Sequence, residues 1–205
     1  EPAVFCAALL NAQPMGFWSP HTLVRDARRH GVVVRTPDIN ASGHEATLEV
    51  CSDSETGLAV RLGVGSVRGI GSELAREIGT HRPYTSIEEL VARVPALSRK
   101  QVEALATSGA FTESFGDDRR HALWEAGAYG HGNIDKLQGV MGLQTRPTLP
   151  GMEPIEEAIA DLWATGISPD GHPTIFLREQ LQAKGVITAD QLPAVPHRDR
   201  AMVAG

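Results

Sequence analysis

The stretch Val67-Arg68-Gly69-Ile70-Gly71-Ser72-Glu73-Leu74-Ala75-Arg76-Glu77-Ile78 constrains this chain more than any other. Two glycines frame one apolar residue, and a helical pattern with Leu74, Ala75 and Ile78 on one side follows at once. Glycine reaches backbone angles that other residues avoid, so the pair permits a tight reversal. Ile70, held between them, is expected to plug a core and fix the turn. Ser72 is expected to cap the helix, because a serine hydroxyl can accept a bond from a first-turn amide.

Such a turn is the hairpin of a helix-hairpin-helix motif. The first amides of the following helix lack intrahelical acceptors, and the helix dipole favours an anion in front of them. With no Cβ at Gly69 or Gly71, a phosphate can come close. Gly69, Gly71 and Ser72 are therefore candidates for contact with a DNA backbone, with Arg68 and Arg76 as flanking charges. Contacts of this kind position a duplex without reading its sequence. Glu73 suits the positive end of a helix but would repel a phosphate directly above it. A second candidate hairpin, Thr107-Ser108-Gly109-Ala110-Phe111, offers Ser108 and Gly109 and has one glycine, not two. Each segment equally suits a plainer role: a tight turn between packed helices, or a helix stop with Phe111 turned inward. If both bind, they form a tandem pair related by a pseudo-twofold, spanning one phosphate from each strand.

Charge limits where nucleic acid can sit. The 205 residues carry a net charge of −6, which argues against a broad basic surface. Residues 1–60 hold four Lys/Arg against seven Asp/Glu, residues 129–205 six against nine, and residues 61–128 nine of each. The middle is thus neutral between acidic flanks, and it is the part that holds both hairpins.

Around the middle, the pattern divides the chain into short units. Residues 4–11 read as the end of a helix, and the amphipathic start suggests a piece of something longer. Ser19-Pro20 opens a helix carrying Leu23, Val24 and Ala27, which stops at Gly31. Val32 to Val34 is a short β run that Pro37 confines to an edge or an end. Alternation over 46–51 and 58–62 predicts a β-hairpin. Thr85 or Ser86, and then Ser98 with Gln101, are capping signals for the helices through Leu90 and Leu105. Asp117 or Asp118 starts a further helix with Leu123 and Trp124. Residues 127–151, with six glycines and two prolines, read as a linker. Residues 153–165 predict an amphipathic helix with Ile155, Ile159, Leu162 and Trp163 on its apolar face. Thr174 to Lys184 predicts a last helix, and residues 201–205 the start of a strand.

Other chemistry finds little support. Cys6 and Cys51 stand far apart without a CxxC, which suits free buried thiols and not a zinc site. There is no Asp-x-Asp pair for two magnesium ions, no phosphate-binding loop of the Walker type and no Gly-x-Ser-x-Gly. No apolar run is long enough to span a bilayer. The three tryptophans suit core positions better than stacking platforms.

Ala8 to Ser19 and the stretch through Pro37-Asp38-Ile39-Asn40 resemble the end of the fingers region in bacterial C-family DNA polymerases. Val60 to Gly63, Val67 to Gly71 and Pro83 to Ser86 resemble that family's entry into a tandem helix-hairpin-helix domain, and Leu105 through Phe111 its second half. Asp118-Arg119-Arg120, Ala160 to Gly166, and Gly171-His172-Pro173 with Phe176-Leu177-Arg178 look like the error-prone, damage-inducible paralogue more than the replicative α subunit. The resemblance implies a DNA-directed DNA polymerase of damage tolerance and induced mutagenesis, a nucleotidyltransferase of the cytoplasm acting in repair and translesion synthesis. It implies Mg²⁺ for the parent enzyme, with the palm aspartates lying upstream, so no catalytic or metal-binding residue is assigned here. It implies double-stranded DNA as partner, together with a Y-family-like clamp-binding accessory protein and a RecA-like mutagenesis protein, and no membrane.

The expected fold is mainly α with a small β-hairpin. Residues 1–60 would form the end of the fingers region and residues 61–128 the duplex-binding domain. Residues 129–205 would form a linker and helices leading to a truncated OB domain. The expected role is non-catalytic, sequence-independent duplex binding; the alternative is a protein-interaction scaffold whose hairpins only pack.

Overall fold

A computed structural model describes residues 1–129 and 147–203. The chain divides into two units, Glu1–Pro169 and Asp170–Gly205. The expected linker over 127–151 falls largely outside the described residues.

The first unit opens with two helices, α1 (Pro2–Asn11) and α2 (Pro20–Arg29). Ser19 caps α2 by accepting from the Thr22 amide at 3.2 Å, and Gly31 ends the run at φ +72°. Strands β1 (Val33–Arg35), β2 (Thr47–Val50) and β3 (Leu58–Arg61) follow. The predicted hairpin is present, with Leu48 opposite Val60, but β3 also pairs in parallel with β1. The sheet is therefore three-stranded in the order β1-β3-β2, and β1 lies at an edge as Pro37 requires. Ala3, Cys6 and Ala7 of α1 pack with Val24, Ala27, Val34, Val60 and Leu62. Both cysteines are free and buried.

A second core lies among helices around the hairpins and takes in Ile39 from the loop after β1. Helices α3 (Ser72–Thr80), α4 (Ile87–Arg93), α5 (Arg99–Thr107), α6 (Thr112–Phe115) and α7 (Arg119–Tyr129) enclose Ile70, Ile78, Tyr84, Leu90, Val102, Leu105 and Phe111. Leu74 and Leu123 sit at its margin, only partly buried. Local caps set the helix starts. Ser86 accepts from the Glu89 amide, and Ser98 with Gln101 forms a full capping box. Asp118 starts α7 by accepting from the amides of Arg120 and His121 and from His121 Nδ1 at 2.6 Å. Burial opposes that carboxylate's charge, yet these hydrogen bonds hold it below its usual range.

A buried cation ties the sheet to the helices. Arg61 on β3 is 2% exposed and donates to both carboxylate oxygens of Glu49, to Glu113 on α6 at 2.7 Å and to the Thr36 carbonyl. Burial alone would favour the neutral form, but the bonds to Glu49 and Glu113 keep the guanidinium firmly charged.

Helix α8 (Pro154–Thr165) turns only half of its predicted apolar face inward: Ile155 and Leu162 are half-buried. Ile159 and Trp163 lie outside, 54% and 47% exposed, while Ala158, Asp161 and Ala164 are buried. The alanines let α8 come close to its neighbours, and Asp161 meets the equally buried Arg119 of α7 at 2.6 Å. With Asp161 and Arg119 facing each other, neither buried charge is left without a partner.

The second unit is small. A 3-10 turn (Pro173–Ile175) precedes α9 (Arg178–Ala183), and strands β4 (Val186–Ile187) and β5 (Met202–Val203) pair in parallel. The single helix expected over 174–184 is thus split. The amides of Ile175, Phe176 and Leu177 bond carbonyls three residues back, and only from Leu181 does the spacing become four. The predicted terminal strand is present as β5.

Candidate nucleic-acid interface

The two glycines of the first hairpin do different jobs. Gly69 has φ +79°, a left-handed angle that makes the reversal. Gly71 has φ −73° and ψ 169°, extended backbone open to any residue. A Cβ built at Gly71 meets nothing within 4 Å, so conformation does not demand glycine there. What its missing side chain provides is open space in front of α3. Ile70 between them is 3% exposed, the plug its sequence position predicted.

Ser72 does not cap α3. The cap position belongs to Gly71, and Ser72 is the first helical residue, exposed at the helix mouth. The shift follows from Ile70, whose amide closes a turn onto the Val67 carbonyl and leaves Gly71 as the extended residue before the helix. Ser72 thus remains at the hairpin's open face, in the first turn whose amides lack intrahelical acceptors. Glu73 is exposed in the same turn.

Arg68 and Arg76 flank this face, both exposed. The Arg68 guanidinium lies 4.9 Å from the ring centroid of Trp163, and its amide donates to the Ala164 carbonyl at 2.7 Å. Arg76 follows Ser72 by one helical turn, with Nη2 3.4 Å from His44 Nε2. Ser66, Ser72, Arg76 and His44 line one groove of about 440 Å³. The hairpin is braced from α5. Gln101 accepts from the Ser98 amide through Oε1 and donates through Nε2 to the Gly69 carbonyl at 2.8 Å. The capping box was legible in the sequence; its reach to Gly69 was not.

The second hairpin is closed. Ser108 is fully buried and its hydroxyl donates to the Leu105 carbonyl. Gly109, at φ +80°, lies under the Arg119 side chain, whose Nε is 2.9 Å from where a Cβ would stand. Arg119 is pinned there by Asp161 and donates also to the Glu157 carbonyl. Ser108 and Gly109 therefore make a sealed turn against α7 and α8, while Gly69, Gly71, Ser72, Arg68 and Arg76 are all exposed.

Residues 31–122 match a family model described as a helix-hairpin-helix motif. The chain is 54% identical to an error-prone DNA polymerase of Mycolicibacterium paratuberculosis, 53% to one of Mycobacterium tuberculosis and 50% to one of Nocardia farcinica. Each alignment takes in 100% of this chain and 18% of the relative, so the chain spans about a fifth of the length of the curated relatives it matches.

Proposed function

We infer that this chain, which belongs over its whole length with the error-prone DNA polymerases, holds duplex DNA by its phosphates without reading sequence. The observation that carries the reading is the open space at Gly71, beside the unpaired amides of α3 and the cations Arg68 and Arg76. Contact is assigned to Arg68, Gly69, Gly71, Ser72 and Arg76. The second hairpin, with Ser108 and Gly109 under Arg119, serves packing and fixes the angle at which α5 and α7 support the first.

Within the longer protein this region would be a non-catalytic part of a damage-tolerance polymerase. Among the described residues no three of His, Cys, Asp and Glu are grouped to hold a metal ion. No magnesium ligand and no chemical step are assigned to the described residues. No described helix is long and apolar enough to cross a membrane. The cytoplasm, and the Y-family-like and RecA-like accessory proteins, rest on the family resemblance.

The test is titration of duplexes of two unrelated sequences at two salt concentrations. The neutral middle displaces few counterions, so the dissociation constant is expected in the ~10⁻⁴–10⁻⁶ M range of non-specific binding, weakening with salt. Gly71→Ala folds normally, since its backbone angles suit alanine, but puts a methyl group in the phosphate's path and weakens binding to both duplexes. Glu73→Ala leaves binding unchanged or tightens it. Wild-type affinity in a well-folded Gly71→Ala chain would favour the scaffold reading, in which the hairpins only pack.

A further inference from the structure

Trp163 stands exposed on α8 although tryptophan buries more apolar area than any other side chain on that helix. Its ring is not idle, because the Arg68 guanidinium lies over it, 4.9 Å from the ring centroid. The backbones are joined at the same place by the bond from the Arg68 amide to the Ala164 carbonyl. Helix α8 is itself fixed from below by Asp161 on Arg119 and by buried Ala158 and Ala164. A rigid helix therefore presents an aromatic face to the one arginine that adjoins Gly69.

A free arginine on a surface samples many rotamers and loses that freedom when it grips a ligand. Stacking on an indole uses the face of the guanidinium and leaves its in-plane N–H donors available, the edge that suits a phosphate. We propose that Trp163 is a positioning residue that holds Arg68 at the rim of the first hairpin, so that the duplex-binding surface extends beyond residues 31–122 onto α8. The inference rests on the phosphate-holding reading and names a further part of that surface. Arg76, one helical turn into α3, is set instead against His44.

The full chain is compared with Trp163→Ala, Trp163→Phe, Arg68→Ala and the Trp163→Ala/Arg68→Ala double variant, by anisotropy of a labelled duplex at low salt. An exposed cation–π contact limits the effect of Trp163→Ala to about 2–5-fold weaker binding, and Trp163→Phe recovers most of it. Arg68→Ala weakens binding at least as much, and the double variant binds no more weakly than Arg68→Ala alone. In the free protein, nuclear magnetic resonance should find the Arg68 Nε–H proton shifted upfield by the indole ring current, and back at its ordinary position in Trp163→Ala. Trp163→Ala binding like wild type while Arg68→Ala is weakened would overturn the positioning role alone. So would additive losses in the double variant, or an unshifted Arg68 proton in the wild type. If Arg68→Ala and Gly71→Ala both bind like wild type, the phosphate-holding reading falls and the inference with it.

Discussion

Asp161→Ala removes the carboxylate that holds Arg119 over the second hairpin. Side-chain exposure is 9% for Arg119 and 3% for Asp161, and the two meet at 2.6 Å. Water cannot readily replace the lost partner at such depth. The Glu157 carbonyl at 3.2 Å and the Thr107 carbonyl at 3.5 Å remain, but both are neutral acceptors. Stripping one member from a buried pair typically costs ~3–5 kcal/mol, and the two surviving carbonyls place the expectation near ~3 kcal/mol. Asp161→Asn keeps an acceptor of the same shape without the charge, so its loss should be smaller. The assay is urea unfolding followed by tryptophan fluorescence, with stability taken from the midpoint and slope. Raising the salt should change the Asp161→Ala loss little, because a buried pair is poorly screened. A loss below ~1 kcal/mol, the size of an exposed ion pair, would refute the claim that Asp161 determines how α8 is seated.

Leu105→Ala, at a fully buried position of the helical core, should cost ~2–5 kcal/mol in the same melts; a loss within experimental error would mean that the cavity closes or that Leu105 carries no core. The Cys6 thiol supplies a dependence on pH. Burial first, and the Asp26 charge second, push its pKa from 9.0 up to about 11, so the protonated form stabilises the fold. That contribution is complete below pH 9 and is lost as pH rises through 11. Unfolding titrations across this window should show a fall in stability that Cys6→Ala flattens, and an equal fall in both proteins would assign it to other groups.

What was legible in the sequence is what neighbouring residues decide among themselves. Ser19 caps α2 and Ser98 pairs with Gln101 because donor and acceptor lie within one turn of the same chain. Ile70 was recognisable as core from its place between two glycines, and the β2–β3 hairpin from alternation. The likeness to error-prone polymerases was also in the residues, because it is carried by many short matches jointly.

What only the tertiary structure decided are the choices between equivalent local answers. Two glycines in one turn look alike until φ is known, and then Gly69 makes the bend while Gly71 leaves room. Ser108 and Gly109 suited either a second open hairpin or a helix stop with Phe111 turned inward, and Arg119, ten residues on from Gly109, closes the turn. The parallel pairing of β1 with β3 joins strands that no local pattern links. The phase of α8 was beyond any periodicity, since both of its faces carry apolar residues. The choice fell to Asp161, whose charge could be buried only where Arg119 was waiting, and Trp163 was thereby turned outward beneath Arg68.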